Sequence, residues 1–591
     1  MNRHERRSQG RVGGIAAADA ARAAGRLAEA ESLYRAVLAR QPSDARALHG
    51  LALVALQAGQ PGPAVALLQR AAATRPTADL LVDLGWALGL AGDRGGAMAA
   101  ERRAIVLDPQ HAQAHYNLAC DLQEENRLVE AIDHYRRAVA AAPRHVDARN
   151  NLAQALVAAG AVEEAVAAFD AAVKAAPDDW ALASNRLLAL HYDPRIAPPA
   201  LAAEHRAWAA RHATLPRFAD HANAPDPERP LRLGYLSPDL CRHPVGWFLQ
   251  QALAHRDRAA FHVTAYSSRR AEDEVSAAIR GLVDRWRPVA ALADEALAAQ
   301  IRADGIDILV DLAGHTMGHR LRVMARRPAP VQASWIGWID TTGLEAIDHF
   351  VTDAVEAPEG CEPLFAEHLV RLPVGAMCWT PPPYAPEVVP PPLGRGAPPT
   401  FGCFNNLAKV NDGVIALWAR VLGAVPGSRL LLKSKSLGDP AVAEGVRARF
   451  AARGVTAERL ALEGRSPHAD MLARYGDIDV ALDPFPYSGG LTSVEALWMG
   501  VPVVTRGGDR MVARQTAGYL TTLGRTEWIA PDADAYVATA AALVADAPGL
   551  ASRRAGQRAR MAASPLVDGA RFVPALEAAW RAMWRDWCAR R

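Results

Sequence analysis

The sequence predicts an α-solenoid followed by two doubly wound α/β halves with a cleft between them. Three observations carry this. Prolines that follow alanine-rich segments recur at Pro42, Pro76, Pro109, Pro143 and Pro177, at separations of 34, 33, 34 and 34 residues. After the polar, proline-bearing stretch RFADHANAPDPERP the pattern changes to short apolar runs alternating with helical segments. A second such series follows a proline-rich stretch over 381–400, too stiff to belong to either core.

At 591 residues the chain is too long for one core. Half the residues are apolar, 22% are charged and the formal net charge is +2, so composition gives no argument for a nucleic-acid or membrane surface. No segment approaches a transmembrane span. The start, MNRHERRSQGR, is basic, but Asp19 and Arg22 interrupt the alanine-rich stretch after it, which therefore lacks the apolar centre of a signal peptide. Cys120, Cys241, Cys361, Cys378, Cys403 and Cys588 are far apart with no CxxC spacing, as expected of reduced thiols in a cytoplasmic protein.

Behind a basic tail over 1–10, residues 11–178 hold about five repeats. A small residue precedes each proline by twelve positions (Ala30, Ala64, Ala97, Ala131, Ala165), and most units carry a leucine followed by a small residue, as at Leu84-Gly85 and Leu118-Ala119. Small residues let two helices approach closely, and the proline ends the second helix. The pattern resembles the tetratricopeptide repeat, whose stacked helix pairs form a groove suited to a peptide or protein. Asn117 and Asn151 occupy equivalent positions of adjacent repeats, where amides can bond an extended peptide's backbone. Ordinary polar surface is the alternative, because the preceding repeats carry Gly50 and Asp83 there. Residues 179–230 read as capping helices and a linker, 231–380 as the first α/β half, and 401–591 as the second with a closing helix, RFVPALEAAWRAMWRDWCARR.

The chemistry gathers at DPFPYSGGLTSVEALWMGVPVVT, residues 483–505. An apolar strand, DVALD, ends just before a glycine-rich corner, and in parallel α/β folds ligands bind beyond such strand ends. Gly489 and Gly490 permit close backbone approach, and a helix starting near Thr492 turns its positive end toward the same space. A diphosphate suits it. Thr492 and Ser493 add hydroxyls, and Lys409 in FNNLAKV adds a full positive charge. Thr492 and Glu495 also fit a capping box, which needs no ligand. Asp477 and Asp479 imitate a metal-binding DxD, yet Asp479 opens an apolar strand, so chance explains the spacing better.

Taken with LGYLSPDLCRHPVGWFLQ and LVDLAGHTMGHRLRVMARRPAPVQASWIGW, these motifs resemble the O-GlcNAc transferase and SPINDLY family over essentially the whole chain. The resemblance implies a GT-B glycosyltransferase moving a sugar from a nucleotide donor to Ser or Thr of a protein held by the repeats. It gives His243 as the active-site histidine, Lys409 as the diphosphate lysine and Asn406 as its polar neighbour. Pro467 falls in the segment lining the base, Thr492 at the diphosphate and Glu495 near the ribose. Asp239, Asp311, His315 and Thr342 fall in cleft loops with less defined roles. Met471 and Gly490 stand where O-GlcNAc transferase has histidines, and Leu491 replaces a threonine. The donor expectation is therefore a UDP- or GDP-sugar, with a CMP-linked nonulosonic acid and flagellin as an alternative donor and acceptor, and neither metal nor further cofactor. A scaffold with an inactive transferase half is the rival reading.

Overall fold

The computed structural model describes residues 14–591; the basic segment 1–10 lies outside the described residues. The chain forms two compact units that divide between Leu156 and Val157.

In the first unit, a helix over 14–23 is followed by antiparallel helix pairs: Leu27–Arg40, Ala45–Gln57 with Pro61–Thr74, Ala78–Leu90 with Arg94–Leu107, and Ala112–Glu124 with Leu128–Ala141. The helices that precede Pro42, Pro76, Pro109, Pro143 and Pro177 end at Arg40, Thr74, Leu107, Ala141 and Ala175, each two residues before its proline. Proline cannot donate the next helical bond, which fixes the stop. The small residues twelve positions earlier are buried without exception, from Ala30 to Ala165. Between them runs an apolar core that includes Leu48, Leu56, Leu68, Leu80, Leu84 and Leu88. Gly50 has a packing reason: a Cβ there would lie 2.3 Å from the Tyr34 ring.

The unit boundary falls inside the fifth repeat as read from the sequence. Its physical cause is local. Ser436 Oγ donates to the Ala158 carbonyl at 2.5 Å, and a Cβ on Gly160 would stand 3.3 Å from Leu407, so this turn belongs with the second unit.

The second unit holds helices Val162–Ala175, Trp180–Tyr192 and Pro198–His212, then two wholly parallel sheets. The first contains β1 (Leu231–Ser237), β2 (Phe261–Ser267), β3 (Arg285–Pro288), β4 (Ile308–Asp311), β5 (Val331–Ser334), β6 (His349–Asp353) and β7 (His368–Leu372), in the order β3-β2-β1-β4-β5-β6-β7. The second contains β8 (Thr400–Cys403), β9 (Arg429–Lys433), β10 (Leu460–Glu463), β11 (Val480–Leu482), β12 (Val503–Arg506) and β13 (Ile529–Ala530), in the order β10-β9-β8-β11-β12-β13. Both orders are doubly wound, with the winding reversing between β1 and β4 and between β8 and β11. Central strands such as ILVD and RLLLK are buried on both faces, which is why they read as unbroken apolar runs.

Two placements differ from the sequence reading. The proline-rich stretch 381–400 is fastened to the second half: Arg554 Nε donates to the Val389 carbonyl and Arg558 Nη2 to that of Pro386. The closing helix, Gly569–Ala589, leaves the second half and packs on β5 and β7 of the first. There Phe572 stacks on Trp335 at 6.3 Å and Trp584 Nε1 donates to the Asp226 carbonyl. Its tryptophans supply apolar surface that the first sheet otherwise leaves bare. All six cysteines are free, four of them buried. No single helix among the described residues is long and apolar enough to cross a membrane.

Candidate functional site

The winding of the second sheet brings the ends of β8 and β11 side by side, and the loops leaving them form the corner. Asp483, just past β11, organises it. Its Oδ1 accepts from the Gly489 amide at 2.7 Å and its Oδ2 from Thr505 Oγ1 at 2.7 Å, while burial raises its carboxyl above the usual range. Gly489 is required sterically: a Cβ there would sit 2.1 Å from Ser493 Oγ and 2.9 Å from Asp483 Oδ1. At Gly490 a Cβ would meet only Gln515 Oε1, at 3.5 Å, so the space beside it is open.

Helix Leu491–Trp498 starts at this point with Gly490 as its N-cap and no side-chain cap. Thr492 and Glu495 therefore do not form a capping box. Thr492 Oγ1 donates instead to Asn405 Oδ1 at 2.9 Å, and Glu495 turns to His468. Ser493 Oγ pairs with Thr516 Oγ1 at 2.9 Å, on the supporting side of the corner.

Lys409 reaches in from the loop after β8. Its Nζ donates to the Ser488 carbonyl at 2.7 Å and to Asn405 Oδ1 at 3.3 Å, and it lies 4.2 Å from the centre of the Tyr487 ring. Burial lowers the ammonium to about 8, with Asp483 and Cys403 pulling the other way. Asn406 is exposed, and its Oδ1 accepts from the Ala408 amide to open the short turn Leu407–Lys409. The amide that joins Lys409 to Thr492 is that of Asn405, one residue earlier. Pro467 is exposed and precedes helix His468–Arg474, which carries His468 and Met471.

The first sheet presents its own switch point. After β1, His243 caps helix Pro244–Ala254, with Nδ1 accepting from the Val245 amide at 3.4 Å and lying 3.8 Å from Asp239 Oδ1. The ring is 39% exposed, and burial lowers its pKa against the opposing pull of Asp239. Burial raises the Asp239 carboxyl. At the end of β4, Asp311 accepts from the Gly314 amide at 2.8 Å and from Ser334 Oγ at 3.2 Å, with its carboxyl raised to about 6 by burial. His315 is buried among Trp208, His205 and Trp338; its Nε2 donates to the Thr342 carbonyl at 2.9 Å. The Thr342 amide donates in turn to Glu367 at 2.8 Å. Asp311, His315 and Thr342 thus shape the loops from behind.

In the repeats, Asn117 Oδ1 accepts from Gln113 Nε2 at 2.7 Å, and Asn151 Nδ2 donates to the Tyr116 hydroxyl at 3.3 Å. Asp83 is tied to His49 at 2.6 Å. Of the DxD look-alike, Asp479 accepts backbone amides of Leu393 and Thr400, and Asp477 pairs with Arg474 at 2.6 Å. Three residues at the corner escaped the sequence reading: Asn405, Tyr487 and His468. The doubled asparagine of FNN was the one visible signal.

Helical repeats joined to two doubly wound sheets, with a glycine corner and a lysine at the second switch point, are the build of a GT-B glycosyltransferase. The chain belongs to glycosyl transferase family 41, whose model matches residues 179–377 and 399–576. Tetratricopeptide models match 21–82 and 116–179. Among curated relatives, the probable UDP-N-acetylglucosamine–peptide N-acetylglucosaminyltransferase SPINDLY of Solanum lycopersicum is 39% identical over 417 residues, covering 68% of this chain and 44% of its own length. Its namesake in Arabidopsis thaliana is 38% identical over 417 residues, 68% and 45% of the two chains. This chain spans less than half the length of those relatives. Among solved structures, a mutant O-GlcNAc transferase of Thermobaculum terrenum is 38% identical with a TM-score of 0.80, over 87% of this chain and 98% of that one.

Proposed function

We propose that the chain is a protein O-glycosyltransferase that moves a sugar from a nucleotide-diphosphate donor to a Ser or Thr hydroxyl of a protein held by the repeats. The observation that carries the reading is the Lys409–Asn405–Thr492 link at the mouth of β8 and β11, beside a glycine whose side chain the packing forbids. Negative charge grows on the leaving diphosphate as the glycosidic bond breaks. A preorganised ammonium and a helix N-terminus meet that charge at no reorganisation cost. In this reading Lys409 supplies what a divalent cation supplies elsewhere.

The acceptor oxygen attacks the anomeric carbon directly, with inversion for neutral nucleotide-diphosphate sugars. His243, at the first switch point, is one candidate to take the acceptor proton, on Nδ1 in exchange for its long 3.4 Å bond from the Val245 amide; a donor phosphate oxygen is the other candidate. Acceptor capture falls to the repeats, with Asn117 and Asn151 on consecutive units. Free thiols suit a cytoplasmic setting.

Read as a diphosphate cradle, the corner favours a UDP- or GDP-sugar over a CMP-sugar. The test is thermal stabilisation by UDP, GDP and CMP: a ligand at about 100 times its Kd adds roughly 2.7 kcal/mol to the folded state. A clear shift with one diphosphate is expected; a response to CMP alone overturns the order and points to a nonulosonate. Intact mass of co-expressed acceptors then reads transfer itself, and no increment on any partner together with no nucleotide binding favours the scaffold reading.

A further inference from the structure

We propose that Tyr487 is the positioning residue for Lys409, and that Tyr192, carried by the helical segment ahead of the sheets, holds Tyr487 in place. The inference rests on the reading of Lys409 as the group that meets the donor diphosphate.

Three contacts surround the ammonium: the Ser488 carbonyl, the Asn405 amide oxygen and the face of Tyr487. An ammonium has three N–H groups on a flexible stem, and two fixed acceptors leave it free to swing about the line joining them. A ring face attracts a cation electrostatically without taking up a proton or a lone pair. The ring therefore closes the third side of the cage while leaving one N–H for the substrate.

Tyr487 is itself held. Tyr192 stacks on it with ring centres 4.9 Å apart and planes inclined by 18°. Tyr192 ends helix Trp180–Tyr192 and is buried. The backbone just beyond it is gripped by the buried Arg510, whose guanidinium donates to the Asp193 carbonyl at 3.3 Å and to that of Ile196 at 2.6 Å. Arg510 stands in the loop after β12. The segment that follows the repeats is thus fastened to the transferase sheets at the residue whose ring backs the lysine cage.

The titratable groups facing Lys409 are Asp483 at the end of β11, Cys403 at the end of β8 and Tyr487 itself. Because the ring face favours the charged ammonium, its removal makes the lysine lose its proton at lower pH. The alkaline limb of the transfer rate then moves down.

The experiment measures kcat and donor KM from pH 6.5 to 9.5, with nucleotide-diphosphate affinity by calorimetry, for the full chain and for Tyr487→Leu, Tyr487→Phe, Tyr192→Leu and Lys409→Ala. Tyr487→Leu is expected to lower kcat about tenfold and to bring the alkaline limb down by about 0.5–1 pH unit. Tyr487→Phe, which keeps the face, restores the limb, and Tyr192→Leu gives a smaller shift in the same direction. If Tyr487→Leu does not fold, the Phe and Tyr192 variants carry the test. A merely structural role lowers the melting temperature and leaves the limb where it was, which overturns the inference. Lys409→Ala separates the two readings. Unchanged diphosphate affinity and transfer in that variant sink the donor-site reading itself, whereas loss there with an unmoved limb in the tyrosine variants sinks only the cage.

Discussion

The Glu495 carboxylate lies 2.7 Å from Nε2 of His468, and the other nitrogen of that ring lies 2.8 Å from the Tyr384 hydroxyl. Glu495 is buried on the helix that leaves the glycine corner, and Tyr384 stands on the proline-rich stretch that joins the two halves. Burial raises the Glu495 carboxyl while His468 draws it back. Removing the histidine leaves a buried carboxyl without its partner. His468→Ala is therefore expected to weaken nucleotide binding about tenfold, the scale of one charge-assisted hydrogen bond. His468→Gln, which can still donate, should recover part of it. Calorimetric titration with UDP and GDP checks both, and wild-type affinity in His468→Ala would remove the pair from the donor site.

Lys409→Ala is expected to cost about 2.7–4 kcal/mol of transition-state stabilisation, a hundredfold to a thousandfold in single-turnover rate, with acceptor binding unchanged. Lys409→Arg should rescue only in part, since a planar fork does not fit a cage made for a compact ammonium. Alanine activity within about threefold of wild type would dissolve the reading of the corner as a diphosphate cradle.

Gly489→Ala drives a methyl group toward Ser493 Oγ and Asp483 Oδ1. Overpacking of this kind costs about 1–3 kcal/mol, and here the displaced atoms are those that shape the corner. Nucleotide affinity should fall more than tenfold. A circular-dichroism spectrum like wild type, with affinity intact, would show that the corner tolerates the shift.

The paired variant Asn117→Ala, Asn151→Ala is expected to slow transfer to a protein acceptor several-fold while nucleotide binding is untouched. Equal transfer by the variant and wild type would return both amides to ordinary surface.

Acid sensitivity is expected where helices Trp180–Tyr192 and Pro198–His212 meet the first half. His205 is held to about 4 and His319 to about 3, both by burial, so these two rings bind fewer protons in the folded state than in the unfolded one below pH 6.5, while the buried Asp311 carboxyl, raised to about 6, works in the opposite direction. The stability this carries is complete above about 6.5 and is lost as pH falls toward 4, on the order of 3 kcal/mol for His205 alone. Relative to His205→Gln, the wild type should lose melting temperature as pH falls from 7.5 to 5. An unchanged slope would contradict it.

Much of this was legible in the sequence because the physics is local. β1, LRLGYLS, and β2, FHVTAYS, are among the short apolar runs that follow the RFADHANAPDPERP stretch, and the prolines mark the helix ends. What escaped is non-local or polar. β3 is the charged segment RWRP at an edge, where Arg287 pairs with Asp304, and it has no apolar pattern to betray it. β6, HFVTD, is buried yet carries His349, Thr352 and Asp353. At the corner, strand end, glycine and lysine were readable from chain order. The choice between Asn405 and Asn406 was not, because a single 3-10 turn sends one side chain inward and the other to solvent. Tyr487 meets Tyr192 and Glu495 meets His468 only through the tertiary fold.

The return of helix Gly569–Ala589 to the first sheet has a consequence for biosynthesis. Strands β1 to β7 leave the ribosome well before helix Gly569–Ala589, so the surface around Trp335 that receives Phe572 and Trp580 waits for that helix to be made. The second half can close on itself during translation; the first cannot. Loss of helix Gly569–Ala589 would leave the repeats and the glycine corner in place and open an indole-lined face to aggregation, so the first half depends for its solubility on residues made long after its own strands.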